Sequence, residues 1–175
     1  GALETADNGL EWHDNPEITA PGKSISLAFL LQEEDQNLTV TSDIRALDDQ
    51  LKIWDARIGT QDLEGAMTLS WAIERSLPTD KALHLVDLNT RTIVDMLQLD
   101  HLELGLVDFR YDRQIKIISG DPAAVAGTIS DILALIPEEL SLDGNYPNPF
   151  NPVTTIRFGL PEPRKIRITV INLLG

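Results

Sequence analysis

Cysteine is absent from the 175 residues. Disulfides, zinc–thiolate centres and cysteine nucleophiles are therefore excluded. Aromatic residues are sparse at 5%, which leaves little material for a sugar-stacking platform. There are three histidines, His13, His84 and His101, and no Gly-x-Ser-x-Gly elbow accompanies them. A glycine-rich phosphate loop is also missing. No apolar run reaches the roughly 18 residues that span a membrane as a helix. Cations are outnumbered 14 to 28, for a formal net charge of −14. Such a surface repels phosphate backbones and anionic lipid, so nucleic acid is not an expected partner. The chain opens on Gly1 without a signal peptide, and residue 1 is expected to be an internal cut or a processed end.

What remains is a chain with 42% hydrophobic residues, enough for a packed core. Alternation with a period of two dominates it. In SISLAFLL, Ile25, Leu27, Phe29 and Leu31 share one face; in LTVTSDIR, Leu38, Val40 and Ile44 do. Trp54, Ala56 and Ile58 alternate with polar residues, as do Met67, Leu69 and Trp71, and then Leu102, Leu104 and Leu106. Each run predicts a strand with one buried and one wet face. ALHLVDL, RTIVDML and RQIKIISG carry apolar residues on both faces and suit central strands covered on both sides. Turn-forming clusters separate the runs at 21–23, 48–50, 63–65, 77–80 and 119–122. Strands recurring about every 8–12 residues, without helices between them, predict an all-β antiparallel sandwich over residues 10–120 with about seven or eight strands.

Residues 121–137 are small and weakly patterned and are expected to form a linker, with a short apolar segment at ILALIP. Beyond them, SLDGNYPNPFNP is dense in Asn and Pro and predicts a stiff, irregular loop. TTIRFGL and RKIRITVI then return to alternation through Ile156, Phe158 and Leu160, then Ile166, Ile168 and Val170.

Catalytic and metal constellations are thin. His13 has Asp14 and Glu17 nearby, and Glu33, Glu34 and Asp35 form an acidic turn, but neither stretch has the spacing of a calcium loop. Asp48 and Asp49 are adjacent in a turn and cannot face one another across a cleft. Asn37 opens an Asn-Leu-Thr sequon and is read as a turn residue. No catalytic residue, cofactor or metal ligand is expected. Among the tryptophans, Trp54 and Trp71 fall on apolar strand faces, which predicts core packing, and Trp12 is uncommitted.

One motif is specific. ELSLDGNYPNPFNPVTTIRFGLP, followed by KIRITVINLLG, resembles the start of the type IX secretion sorting domain, with which exported proteins of some Gram-negative bacteria end. The residues that carry the resemblance are Asn145, Tyr146, Pro147, Asn148, Pro149, Phe150, Asn151 and Pro152, flanked by Leu142, Thr154, Ile156, Phe158, Leu160 and Pro161. Ile171 stands where that family usually has Tyr. The resemblance implies an incomplete sorting domain, the front part of a signal, in residues 138–175. Less sharply, DNPEITAPGKSISLAF, TSDIR, IWDARI, MTLSW, LHLVDL and IKIISG resemble immunoglobulin-like modules that precede such tails. Together the two resemblances imply a non-catalytic structural or carrier segment of a secreted or cell-surface protein. It would link an upstream domain of the same polypeptide to the signal, with the secretion machinery as partner. They also imply that the apolar faces of residues 154–171 find cover on the first domain or by self-association. The alternative is a carbohydrate- or surface-binding module.

Overall fold

The computed structural model describes residues 2–3, 24–33, 36–42, 45–46, 50–74, 77–107, 112–161 and 166–170. The strands are β1 (Ala2–Leu3), β2 (Ser24–Glu33), β3 (Gln36–Val40), β4 (Arg45–Ala46), β5 (Lys52–Gln61), β6 (Gly65–Ser70), β7 (Ala82–Asp87), β8 (Thr92–Asp95), β9 (His101–Val107) and β10 (Asp112–Gly120). Helix α1 (Pro122–Ala134) follows, then β11 (Ser141–Tyr146) and β12 (Thr155–Gly159). Among the described residues the chain is all-β apart from that helix, and its extended sheets are antiparallel. It divides into two units, Gly1–Leu133 and Ala134–Gly175.

Six strands of the first unit form one sheet in the order β3-β2-β5-β10-β7-β8. A second sheet pairs β6 with β9. The two meet through a core of Ala56, Ile58, Leu85, Val94, Met96, Leu104 and Ile115, against which Phe29, Met67, Leu69, Trp71 and Ile117 pack. Burying a side chain such as Leu85 or Ile115 contributes about 1.5–3 kcal/mol. The two-sided strands behave as their composition requires. Leu85 of β7 and Ile115 and Ile117 of β10 face the small sheet, while Val86 and Ile118 face the other way.

Helix α1 occupies that other face. Val125 and Ile129, one turn apart, are buried against Val86 and Ile118, with Leu51, Ile53, Ile132 and Leu133 around them. The stretch expected to be a linker is thus mostly a docked helix. Its N-terminus is capped by Asp121, whose Oδ1 accepts the amides of Ala123 at 2.9 Å and Ala124 at 3.2 Å. Ala, Ile and Leu at helical spacing suffice once an apolar sheet face needs covering.

Several faces differ from simple alternation. Ile25 and Leu27 are exposed, and Ala28, next to Leu27 on the opposite face, is buried. In β9 the alternation Leu102, Leu104, Leu106 is broken by a β-bulge. Met67 pairs with Gly105 and Thr68 with Glu103, leaving Leu104 as the extra residue. Gly105 takes φ +81, a left-handed conformation that glycine adopts without steric cost. The inserted residue reverses the phase beyond it, so Leu106 is 86% exposed and Val107 only 7%. Trp71 packs against the core between the sheets, and both Trp54 and Trp71 are half-buried rather than enclosed. Ile44 and the backbone of residues 10–23 lie outside the described residues.

In the second unit, β11 and β12 form a two-stranded antiparallel sheet. SLDGNY is strand rather than loop, because its backbone pairs with TIRFG. No strand forms over 166–170, and Ile156, Phe158, Ile166, Ile168 and Val170 are exposed.

Candidate functional site

The Asn–Pro motif forms the connection of the β11–β12 hairpin. Two features fix the base of this loop. A bulge sits in β11, where Leu142 pairs with Phe158 and Gly144 with Arg157, so Asp143 is the extra residue. Gly144 takes φ +94 there. Across the mouth, Asn145 Nδ2 donates to Thr154 Oγ1 at 3.1 Å, and that hydroxyl donates to the Pro147 carbonyl at 2.9 Å. Further along the hairpin, the Gly159 amide donates to Ser141 Oγ at 3.1 Å. Asn145 and Thr154 thus act as a side-chain latch, which satisfies a carbonyl that the three prolines cannot help to pair.

The latch holds the motif residues outward. Tyr146, Phe150 and Val153 are exposed, as are Pro147, Asn148, Pro149, Asn151 and Pro152. The peptide bonds preceding Pro147, Pro149 and Pro152 are cis. Asp143, Gly144, Asn145, Tyr146 and Arg157 line a shallow concavity beside the bulge. This surface offers two aromatic rings, free amides and one charge of each sign. It suits recognition by another macromolecule and holds no nucleophile–base pair.

The histidines do not assemble a catalytic centre among the described residues. His84 lies in β7, and its buried Nδ1 has no hydrogen-bond partner there. His101 is exposed at the start of β9, with Nδ1 at 2.7 Å from Asp100 Oδ1. That hydrogen bond, and then the attraction of the imidazolium, hold the Asp100 carboxyl below its ordinary value. No hydroxyl is hydrogen-bonded to the pair among the described residues. No group of three or more His, Asp and Glu is arranged for a metal ion among the described residues. His13, Asp14, Glu17 and the side chains of Glu33, Glu34 and Asp35 lie outside them.

Of the two described tryptophans, Trp71 has the hydrogen-bonded indole. Its Nε1 donates to the carbonyls of Leu99 at 3.0 Å and Met96 at 3.2 Å. The ring lines an open depression with Ile73, Leu97, Gln98, Leu99 and Asp100. Trp12 lies outside the described residues.

The polar cluster that sequence reading missed is structural. Asp87 accepts the amides of Asn89 and Thr90, at 2.9 and 3.3 Å, and the Thr90 hydroxyl at 2.7 Å. Arg113 meets the same carboxylate from β10 and donates to the Leu104 carbonyl of the facing sheet at 2.8 Å. A lone Asp and a lone Arg 26 residues apart give no sequence signal, because only the strand order brings them together. Compared with known proteins, the chain matches no family model, no curated protein and no solved structure.

Proposed function

We propose that this chain is a non-catalytic carrier segment of an exported bacterial protein, in which residues 138–175 serve as the front part of a type IX sorting signal. The supporting observation is the outward display of NYPNPFNP on a hairpin whose base is closed by the Asn145–Thr154–Pro147 latch. A loop that only connected two strands would have no need of exposed Tyr146 and Phe150, whose rings cost solubility without adding to a core. On this reading the first unit is an immunoglobulin-like spacer, and the protein reaches the medium or the outer cell surface through the periplasm. Its partners are the secretion machinery and an upstream domain of the same polypeptide.

The test is export in the protein's own host. Tyr146→Ala with Phe150→Ala, introduced in the full polypeptide, should leave the protein in the periplasm while its solubility is unchanged. Undiminished appearance at the surface or in the medium would remove the sorting role.

A second reading, a carbohydrate-binding module, is favoured by one observation: the Trp71 ring borders an open depression that also carries Gln98 and Asp100. Retention on insoluble polysaccharide that is lost in Trp71→Ala, with Trp12→Ala as a parallel control, separates the two readings.

A further inference from the structure

We infer that two copies of this chain associate tail to tail through the apolar face of the β11–β12 hairpin. The inference does not depend on the sorting role. It starts from how charge is distributed. Residues 1–133 hold 24 carboxylates against 10 cations, which accounts for the whole net charge of −14, whereas residues 134–175 hold 4 of each. Two first units repel one another, so the second unit is where two copies can approach without that penalty.

The charge within the second unit is also ordered. Glu138, Glu139 and Asp143 come before the loop, and Arg157, Arg164, Lys165 and Arg167 come after it, with Glu162 among them. With a two-fold axis running along the hairpin, the entry strand of one copy lies over the exit strand of the other, so acidic entry meets basic exit. An axis across the strands would lay entry on entry and place like charges together.

The hairpin supplies the apolar contact. Leu142 pairs with Phe158, and Ile156 lies two residues from Phe158, so these three share a face. Leu142 is 72% exposed and Phe158 42%. Ile166, Ile168 and Val170 extend the apolar surface along the chain and are exposed as well. A two-stranded sheet with one apolar face is marginal in water by itself, and a second copy covers that face with its own.

The association is tested by sedimentation equilibrium of the 175-residue protein over about 1–300 µM. The wild type should be a monomer at the low end and a dimer at the high end. Glu138→Lys with Glu139→Lys should remain monomeric, and so should Arg157→Glu with Arg167→Glu. An equimolar mixture of those two variants should recover the dimer, because each now presents the charge the other lacks. Phe158→Lys should abolish association in every combination. A wild type that is monomeric throughout overturns the proposal. Association that persists in both single charge variants overturns it too, since contact is then made elsewhere. Failure of the mixture to dimerise, with the Leu142 and Phe158 amides of each variant as protected from hydrogen exchange as in the monomeric wild type, excludes the two-fold charge pairing.

Discussion

Arg113 of β10 and Asp87 of β7 form an ion pair, Nη2 to Oδ2 at 2.5 Å, between side chains only 7% and 0% exposed. The pair closes the β7–β8 turn and, through the Arg113 bond to Leu104, ties the two sheets together. Removing one partner leaves a buried charge without compensation, which costs about 3–5 kcal/mol. Asp87→Ala should therefore unfold at a much lower urea concentration. Asp87→Leu combined with Arg113→Leu should recover a good part of that loss. A double variant as unstable as the single one would show that the turn contacts, and not the charge, set the cost.

The bulge in β9 makes an opposite forecast for neighbours. Leu106→Asp should be nearly silent, because the side chain already points to water, whereas Val107→Asp places a carboxylate in the core and should prevent folding or nearly so. Gly105→Ala should cost about 1–2 kcal/mol from the left-handed backbone alone, since nothing lies within 4 Å of a Cβ at that position. Thermal denaturation of the three variants measures this order directly.

The tryptophans differ in their polar atoms. Trp71→Phe leaves the carbonyls of Met96 and Leu99 without their donor and should cost roughly 1–3 kcal/mol. Trp54 Nε1 is buried without a partner among the described residues, so Trp54→Phe removes an unpaired donor and should be less costly. Urea midpoints in the reverse order would contradict this assignment.

Asp100 titrates below its ordinary value of 3.8 because of the His101 hydrogen bond and charge. A carboxyl with a lowered folded-state pKa favours folding above its unfolded pKa, and that preference disappears as pH falls through the folded value. Both groups are exposed, so the effect belongs to the local titration rather than to global stability. In a carboxyl-carbon NMR titration the Asp100 midpoint should lie below that of an ordinary Asp. It should rise toward it in His101→Ala.

Helix α1 contributes to the first unit's core and is not a tether. Ile129→Ala should cost about 2–5 kcal/mol, and Asp121→Ala about 1 kcal/mol through loss of the cap. A cost near zero for Ile129→Ala would mean that the helix is dispensable.

Much of this was legible locally. Alternation is a property of neighbouring residues, so MTLSW and WDARI announced strands and their inward faces, and ALHLVDL announced a strand covered on both sides. The prolines and asparagines after Gly144 marked a loop, although the pairing of SLDGNY with TIRFG extended the strand further into the motif than its composition suggested.

The sequence by itself determined an all-β chain with an acidic body, a charge-balanced tail and a stiff Asn–Pro loop, because those follow from composition and from period-two patterning. Only the tertiary structure decided which faces are buried beyond a bulge, that Pro122–Ala134 is a docked helix, and that Asp87 meets Arg113. A bulge is set by the partner strand, a weakly amphipathic segment becomes a helix when a sheet face needs cover, and a buried ion pair exists only where strand order places two charges side by side. Each depends on residues distant in the chain, which no local pattern records.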